Sequence, residues 1–142
     1  MKMNKKYIVL ILTILLVTST LLFAFGQNEV KETTVVEMAA EYHKIDAETA
    51  KEAFDTQTDI TIVDVRTESE YNGGHVIDAI NIPLDVIGKS AIEQFPNKNE
   101  KLYVYCRSGS RSAQAAKILV EMGYTNVYDF GGIINWPYGV EI

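Results

Sequence analysis

Two kinds of hydrophobic pattern divide the chain. Residues 7–25 are apolar apart from a few Thr and Ser, whereas residues 27–41 are polar and acidic, with a weak Val35-Val36 pair. From residue 42 on, short apolar runs alternate with segments whose apolar positions recur at three- and four-residue spacing. That alternation of strand and helix periods predicts an α/β domain. Residues 42–45 read as a short strand, and Asp46 as the N-cap of a helix through Phe54, with Glu48 in its first turn. Residues 60–65, Ile-Thr-Ile-Val-Asp-Val, are almost continuously apolar, as expected of a strand covered on both faces. Thr67-Glu-Ser-Glu70 has capping-box spacing and starts a short helix. Residues 79–82 form another short strand, closed by Pro83, after which Ile87, Ala91, Ile92 and Phe95 fall on one helical face. Residues 102–105 are a buried strand. Ala113, Ala116, Ile118, Leu119 and Met122 then populate a helix that Gly123 ends. Residues 126–130 are the last strand, and Gly131-Gly132 is expected to turn the chain out of it.

Charge changes the reading of the two ends. Lys2, Lys5 and Lys6 precede the apolar run, and Ala24-Phe25-Gly26 closes it with small residues at the cleavage-site positions. Residues 1–26 therefore have the outline of a secretory signal. At 19 residues the run is also close to the roughly 20 that span a bilayer, so an uncleaved anchor is the alternative. Either way the lysines stay inside and the remainder lies outside the cytoplasm, with residues 27–41 as a spacer and 42–142 as the domain. No cysteine follows the run, which excludes lipid attachment there. All 19 acidic residues come after Gly26, against ten Lys and Arg, and this strongly negative balance argues against nucleic acid as a partner. Any contact with the membrane is through the N-terminal segment.

Chemistry concentrates in one loop. Cys106, the single cysteine, stands at the first position after the 102–105 strand and before a helix that opens with small residues. A thiol there faces unpaired helix N–H groups and their partial positive charge. Arg107 and Arg111 flank the loop, and Gly109 lets the backbone curl its amides inward. Each of these features favours the thiolate, which is the nucleophilic form. With one cysteine and two histidines, His43 and His75, the chain lacks the ligand set of a structural zinc site and cannot form an internal disulfide.

Cys106-Arg-Ser-Gly-Ser-Arg111-Ser112 resembles the active-site loop of rhodanese-type sulfurtransferases. Asp64-Val-Arg66 with Glu70-Tyr71 is similar to that family's first signature, and Gly74-His75-Val76 through Pro83 to its second. Gly123-Tyr124, Val127-Tyr128, Gly131-Gly132-Ile133 and Trp136 resemble its closing segment. Ile77-Asp78 departs from the pattern, standing where Pro-Gly is usual. The resemblance implies a rhodanese-like α/β fold with a mainly parallel central sheet and helices on both faces. It further implies two-step sulfur transfer through a Cys106 persulfide. The donor would be a small anion such as thiosulfate, and the acceptor cyanide or a thiol, a protein thiol included. Cys106 would be catalytic, and Arg107, Ser108, Gly109, Ser110 and Arg111 would bind the substrate. No metal or organic cofactor is implied.

Three side issues follow from the same residues. Arg66 and Glu70 are i,i+4 and are expected to pair, while Asp64 accepts loop N–H groups. His75 is expected to be structural and Trp136 to pack in the core or at its rim, whereas Ser110 and Ser112 read equally as helix caps or as donors to a sulfur anion. A cysteine phosphatase is the competing enzyme, but it needs Cys-x5-Arg, and the sixth residue after Cys106 is Ser112. A sulfur carrier or redox sensor without substantial turnover is the remaining alternative.

Overall fold

The computed structural model describes residues 41–142; the leader and almost all of the spacer read from the sequence lie outside the described residues. Among the described residues no helix is long and apolar enough to cross a membrane. In chain order the elements are β1 (His43–Lys44), α1 (Ala47–Thr56), β2 (Ile60–Asp64), α2 (Glu68–Asn72), β3 (Ile80–Asn81), α3 (Ile87–Gln94), β4 (Lys101–Cys106), α4 (Ser110–Glu121) and β5 (Asn126–Gly132). A 3-10 turn, Ile133–Asn135, follows.

The five strands pair in the order β1-β5-β4-β2-β3, all parallel. β4 is central, and its alternation sorts the core into two layers. Leu102, Val104 and Cys106 face one layer, with Ile87, Ala91 and Phe95 of the α3 segment and Ala115, Ala116 and Leu119 of α4. Tyr103 and Tyr105 face the other, with Ala50 and Ala53 of α1 and Phe130 of β5. Helices therefore cover both faces of the sheet.

Caps fix the ends of the early helices. Asp46 accepts the Thr49 N–H at 2.8 Å, and Thr67 with Glu70 completes a reciprocal capping box. Gly123, at φ +92°, ends α4 in the left-handed conformation that favours glycine. The Ile77-Asp78 departure keeps a tight turn. The Ala79 N–H donates to the Val76 carbonyl at 3.0 Å, and Asp78 takes φ +64°, held by its N–H on Glu141 Oε1 at 2.8 Å. Asp tolerates that region better than most residues, so the turn survives without glycine.

Two expectations need correction. Ile92 does not join the buried face of α3: it is 59% exposed, because Ile87, Ala91 and Phe95 already fill the contact with the sheet. Gly131-Gly132 does not turn the chain out of β5. Both glycines belong to the strand, and Gly132 pairs with Cys106 across a register shift. Gly131, at φ +87°, supplies the bulge, with its N–H on the buried Asp129 carboxylate at 3.0 Å.

The topology also selects a place for chemistry. After β2 the chain leaves for β3 on one side, and after β4 it leaves for β5 on the other. The crevice at the carboxyl ends of β2 and β4 is thus the switch point, where open α/β sheets bind ligands. Cys106 ends β4 there.

Candidate active site

The loop after β4 wraps the thiol in main-chain donors. Gly109, at φ +100°, is the N-cap of α4 and turns its N–H onto Cys106 Sγ at 3.1 Å. A side chain on any other residue would strain that backbone. Ser112 is fully buried in the first turn of α4, and its Oγ lies 3.7 Å from Sγ. The same hydroxyl also reaches the Gly109 carbonyl at 3.1 Å and the Gly131 carbonyl at 3.3 Å. One proton thus has three acceptors to choose among when the sulfur is ionised.

Cys106 is 1% exposed. Burial pushes its thiol up, but hydrogen bonds outweigh burial, and the net pKa lies below the ordinary value. The opposing contributions come from the N–H and hydroxyl of Ser112 and then the N–H groups of Gly109 and Ser108. This is the lowering expected at a helix N-terminus, carried by amides and a hydroxyl ahead of the flanking guanidinium groups.

The arginines have separate positions. Arg107 is exposed, and its carbonyl accepts the Ile134 N–H at 3.3 Å. Arg111 grips Glu70 with both ends of its fork, Nη1 to Oε2 at 2.7 Å and Nη2 to Oε1 at 2.8 Å. Arg111 holds the Glu70 carboxyl well below its usual range, at about 2. The expected Arg66–Glu70 pair is therefore not formed. Arg66 turns back on Asp64 instead, with Nη2 to Oδ2 at 2.6 Å, and reaches the Gly74 carbonyl at 2.8 Å. Asp64 also accepts the Arg66 N–H and the Tyr105 hydroxyl, the latter at 2.6 Å, so the ends of β2 and β4 are tied beside the loop. Burial and that carboxylate push the Tyr105 phenol up, so it stays a donor.

The remaining sequence candidates are placed as follows. Ser108 and Ser110 are exposed, Gly109 and Arg111 are half-buried, and Ser110 is the first residue of α4. His75 stacks on Tyr71, with ring centroids 3.7 Å apart, and its Nδ1 lies 3.0 Å from the Tyr71 carbonyl. Its Nε2 lies 3.5 Å from Glu141 and not on the thiol. Trp136 packs against Phe54 and Phe130 at the rim of the α1 layer.

Two residues outside the predicted site set also shape it. Gly132 carries the loop: a Cβ there would stand 2.6 Å from Ser108 Cα and collide with the Arg107 carbonyl. A glycine within a strand is itself a signal of close backbone approach. Glu70, expected beside Arg66, instead finds its partner 41 residues along the chain.

Comparison with known proteins agrees with this geometry. Residues 46–137 match the Rhodanese-like domain family. The chain is 45% identical over 71 residues to the thiosulfate sulfurtransferase PspE of Escherichia coli, covering 50% of this chain and 68% of that one. A sulfurtransferase of Allochromatium vinosum is 36% identical over 102 residues, covering 70% of this chain and 94% of its own. Among solved structures, a rhodanese-like domain protein from Staphylococcus aureus superposes with a TM-score of 0.63 at 35% identity, covering 70% of this chain and 97% of that one. With its parallel sheet, its Cys106 loop at the switch point and these relatives, the chain belongs to the rhodanese-like domain family.

Proposed function

We propose that this transferase of rhodanese type moves a sulfane sulfur from a small anionic donor to a thiophilic acceptor through a persulfide on Cys106. The observation that carries this reading is the Gly109 N–H on Cys106 Sγ at 3.1 Å, in a loop that lowers the thiol's pKa in spite of burial. With thiosulfate, the thiolate attacks the outer sulfur, the S–S bond breaks, and sulfite leaves with the bonding electron pair. Cys106 then carries a terminal sulfur bearing one negative charge. Main-chain N–H groups across residues 107–111 and the exposed Arg107 stabilise that anion and the incoming donor. An acceptor, cyanide or a thiol, attacks the terminal sulfur next and leaves as thiocyanate or a new persulfide, and the Cys106 thiolate is regenerated. The chemistry needs no metal and no organic cofactor.

The leader read from the sequence assigns this reaction to the outside of the cytoplasm. N-terminal sequencing of protein from the native envelope tests that part: a start near Gln27 marks a cleaved signal, and an intact Met1 in the membrane fraction marks an anchor. Intact mass of the purified chain before and after thiosulfate tests the chemistry. A gain of one sulfur that cyanide removes is expected, and no gain would overturn the reading. A gain with negligible turnover would instead identify a sulfur carrier.

A further inference from the structure

A second concave site lies apart from Cys106. Between the end of α1, the Val76–Ala79 turn and the segment after the 3-10 turn is a cavity of about 340 Å³, at the small end of the range for ligand pockets. Its lining includes no residue of the 106–112 loop. Phe54, Trp136 and Tyr138 supply aromatic walls. Trp136 and Tyr138 meet as a corner, with centroids 5.0 Å apart and planes at 76°, and Phe54 lies 5.7 Å from Trp136. The indole N–H already donates to the Gly139 carbonyl at 3.0 Å, so what Trp136 presents to the cavity is ring rather than donor.

The mouth is acidic. Asp55 and Asp78 line it, and Glu141 stands behind Asp78, accepting its N–H. Against the two lining carboxylates there is one ammonium, that of Lys51, which is bonded to Asp55. Lys51 Nζ sits 5.8 Å from the centroid of the Tyr138 ring, within cation–π reach. The chain's own lysine thus occupies the place where an aromatic corner and a carboxylate would hold a foreign cation. Asp78 adds a second point. It accepts φ +64°, a sparsely populated conformation for a residue other than glycine, at a position that lines the cavity.

We infer that this cavity binds a small organic cation with a compact alkylammonium head. The head rests on the Tyr138 and Trp136 rings, faces Asp55 and Asp78, and competes with Lys51 for the same seat. An uncharged molecule of equal shape lacks both the carboxylate and the cation–π attraction.

Trp136 is the single tryptophan, so intrinsic fluorescence of the full-length chain reports on this cavity. The chain is titrated with choline and, separately, with dimethylbutanol, in which carbon replaces the ammonium nitrogen. A saturable Trp136 signal with choline and none with the uncharged isostere is expected. Lys51→Ala removes the resident competitor and should tighten choline binding about three- to fivefold, the scale of one exposed cation–π contact. Tyr138→Leu, at a position already 39% exposed, keeps apolar bulk but removes the ring and should weaken binding by a similar factor, while Tyr138→Phe should not. Equal binding of the isostere, no binding of either probe, or weaker binding in Lys51→Ala would each overturn the inference.

Discussion

Glu70 and Arg111, 41 residues apart in sequence, close a two-bond ion pair between the capping box of α2 and the first turn of α4. The loop cation that the sequence offers as a donor-binding charge is therefore already matched by a carboxylate. Arg111 acts first as a tie between α2 and α4, and its attraction for a substrate anion is reduced accordingly.

Glu70→Gln tests this division of labour. Glutamine keeps the capping box but removes the charge, so Arg111 is released to face the donor. The KM for thiosulfate should fall roughly two- to fivefold, the size of an exposed charge interaction. The same variant changes the acid side of stability. Arg111 holds the Glu70 carboxyl at about 2 against an ordinary 4.5, so the pair stabilises fully above 4.5 and is lost as pH falls towards 2. Thermal melts between those limits should show wild type losing its advantage over Glu70→Gln. A constant difference across the window would show that the pair adds nothing.

The thiol should ionise below the free-cysteine value of about 8.5, and Ser112 should be a main cause. Alkylation rate against pH reads the midpoint directly. Ser112→Ala removes the hydroxyl 3.7 Å from Sγ, one of the groups that lower the thiol's pKa, and should move the midpoint upward. Cys106→Ser should abolish transfer while leaving the melt unchanged. An unaltered midpoint in Ser112→Ala would assign the lowering to the amides alone.

What could be read from the sequence was whatever local chemistry dictates. Asp46, Thr67 and Gly123 announce helix ends because caps are local, and Cys106 announces itself by standing between an apolar strand and a small-residue helix start. Arg66 and Glu70 show the limit. The i,i+4 rule presumes that both side chains lie along one helix, but Arg66 precedes α2 and folds back on Asp64, leaving Glu70 to a residue that only the tertiary fold brings near. Gly131-Gly132 shows another limit: two glycines signal a turn in isolation, whereas here one makes a bulge and the other gives the loop room to settle.

Gly132→Ala should be more damaging to rate than to fold. Its Cβ collides with the loop backbone at Arg107 and Ser108, and the loop rather than β5 is free to give way. Overpacking of this kind costs roughly 1–3 kcal/mol in stability. Moving the amides off Sγ should cost on the order of 100-fold in kcat. Gly131→Ala is the control: its φ of +87° is strained for alanine, yet a Cβ there meets nothing within 4 Å. It should lose about 1–2 kcal/mol from backbone strain and less activity than Gly132→Ala. Equal activity losses would mean that backbone strain, not the collision, is what matters.

Aryl phosphates should not be hydrolysed usefully. Phosphate capture by a cysteine loop needs a guanidinium fork presented to two oxygens, and the fork of Arg111 is spent on Glu70. p-Nitrophenyl phosphate and thiosulfate are assayed on one preparation. Phosphate hydrolysis that disappears with Cys106→Ser, without sulfur transfer, would reverse the functional reading.

Arg107 is left as the loop's free charge. It is exposed and enters none of the ion pairs among the described residues. The rest of the domain is strongly acidic, so a dianionic donor approaches against an unfavourable field, and one exposed guanidinium beside the thiol has a disproportionate effect on encounter. Arg107→Ala should raise the KM for thiosulfate roughly five- to tenfold at low ionic strength while kcat changes little, because steering acts before the chemical step. The penalty should shrink to about twofold or less at half-molar salt, where the screening length is well under the roughly 10 Å of dilute buffer. Arg107→Lys should stay close to wild type, since steering needs charge and not a fork. Arg111→Ala should behave differently, losing kcat through the loosened loop and keeping that loss at high salt. If Arg107→Ala shows the salt-insensitive kcat defect and Arg111→Ala the screened KM defect, the roles assigned to the two arginines are the wrong way round.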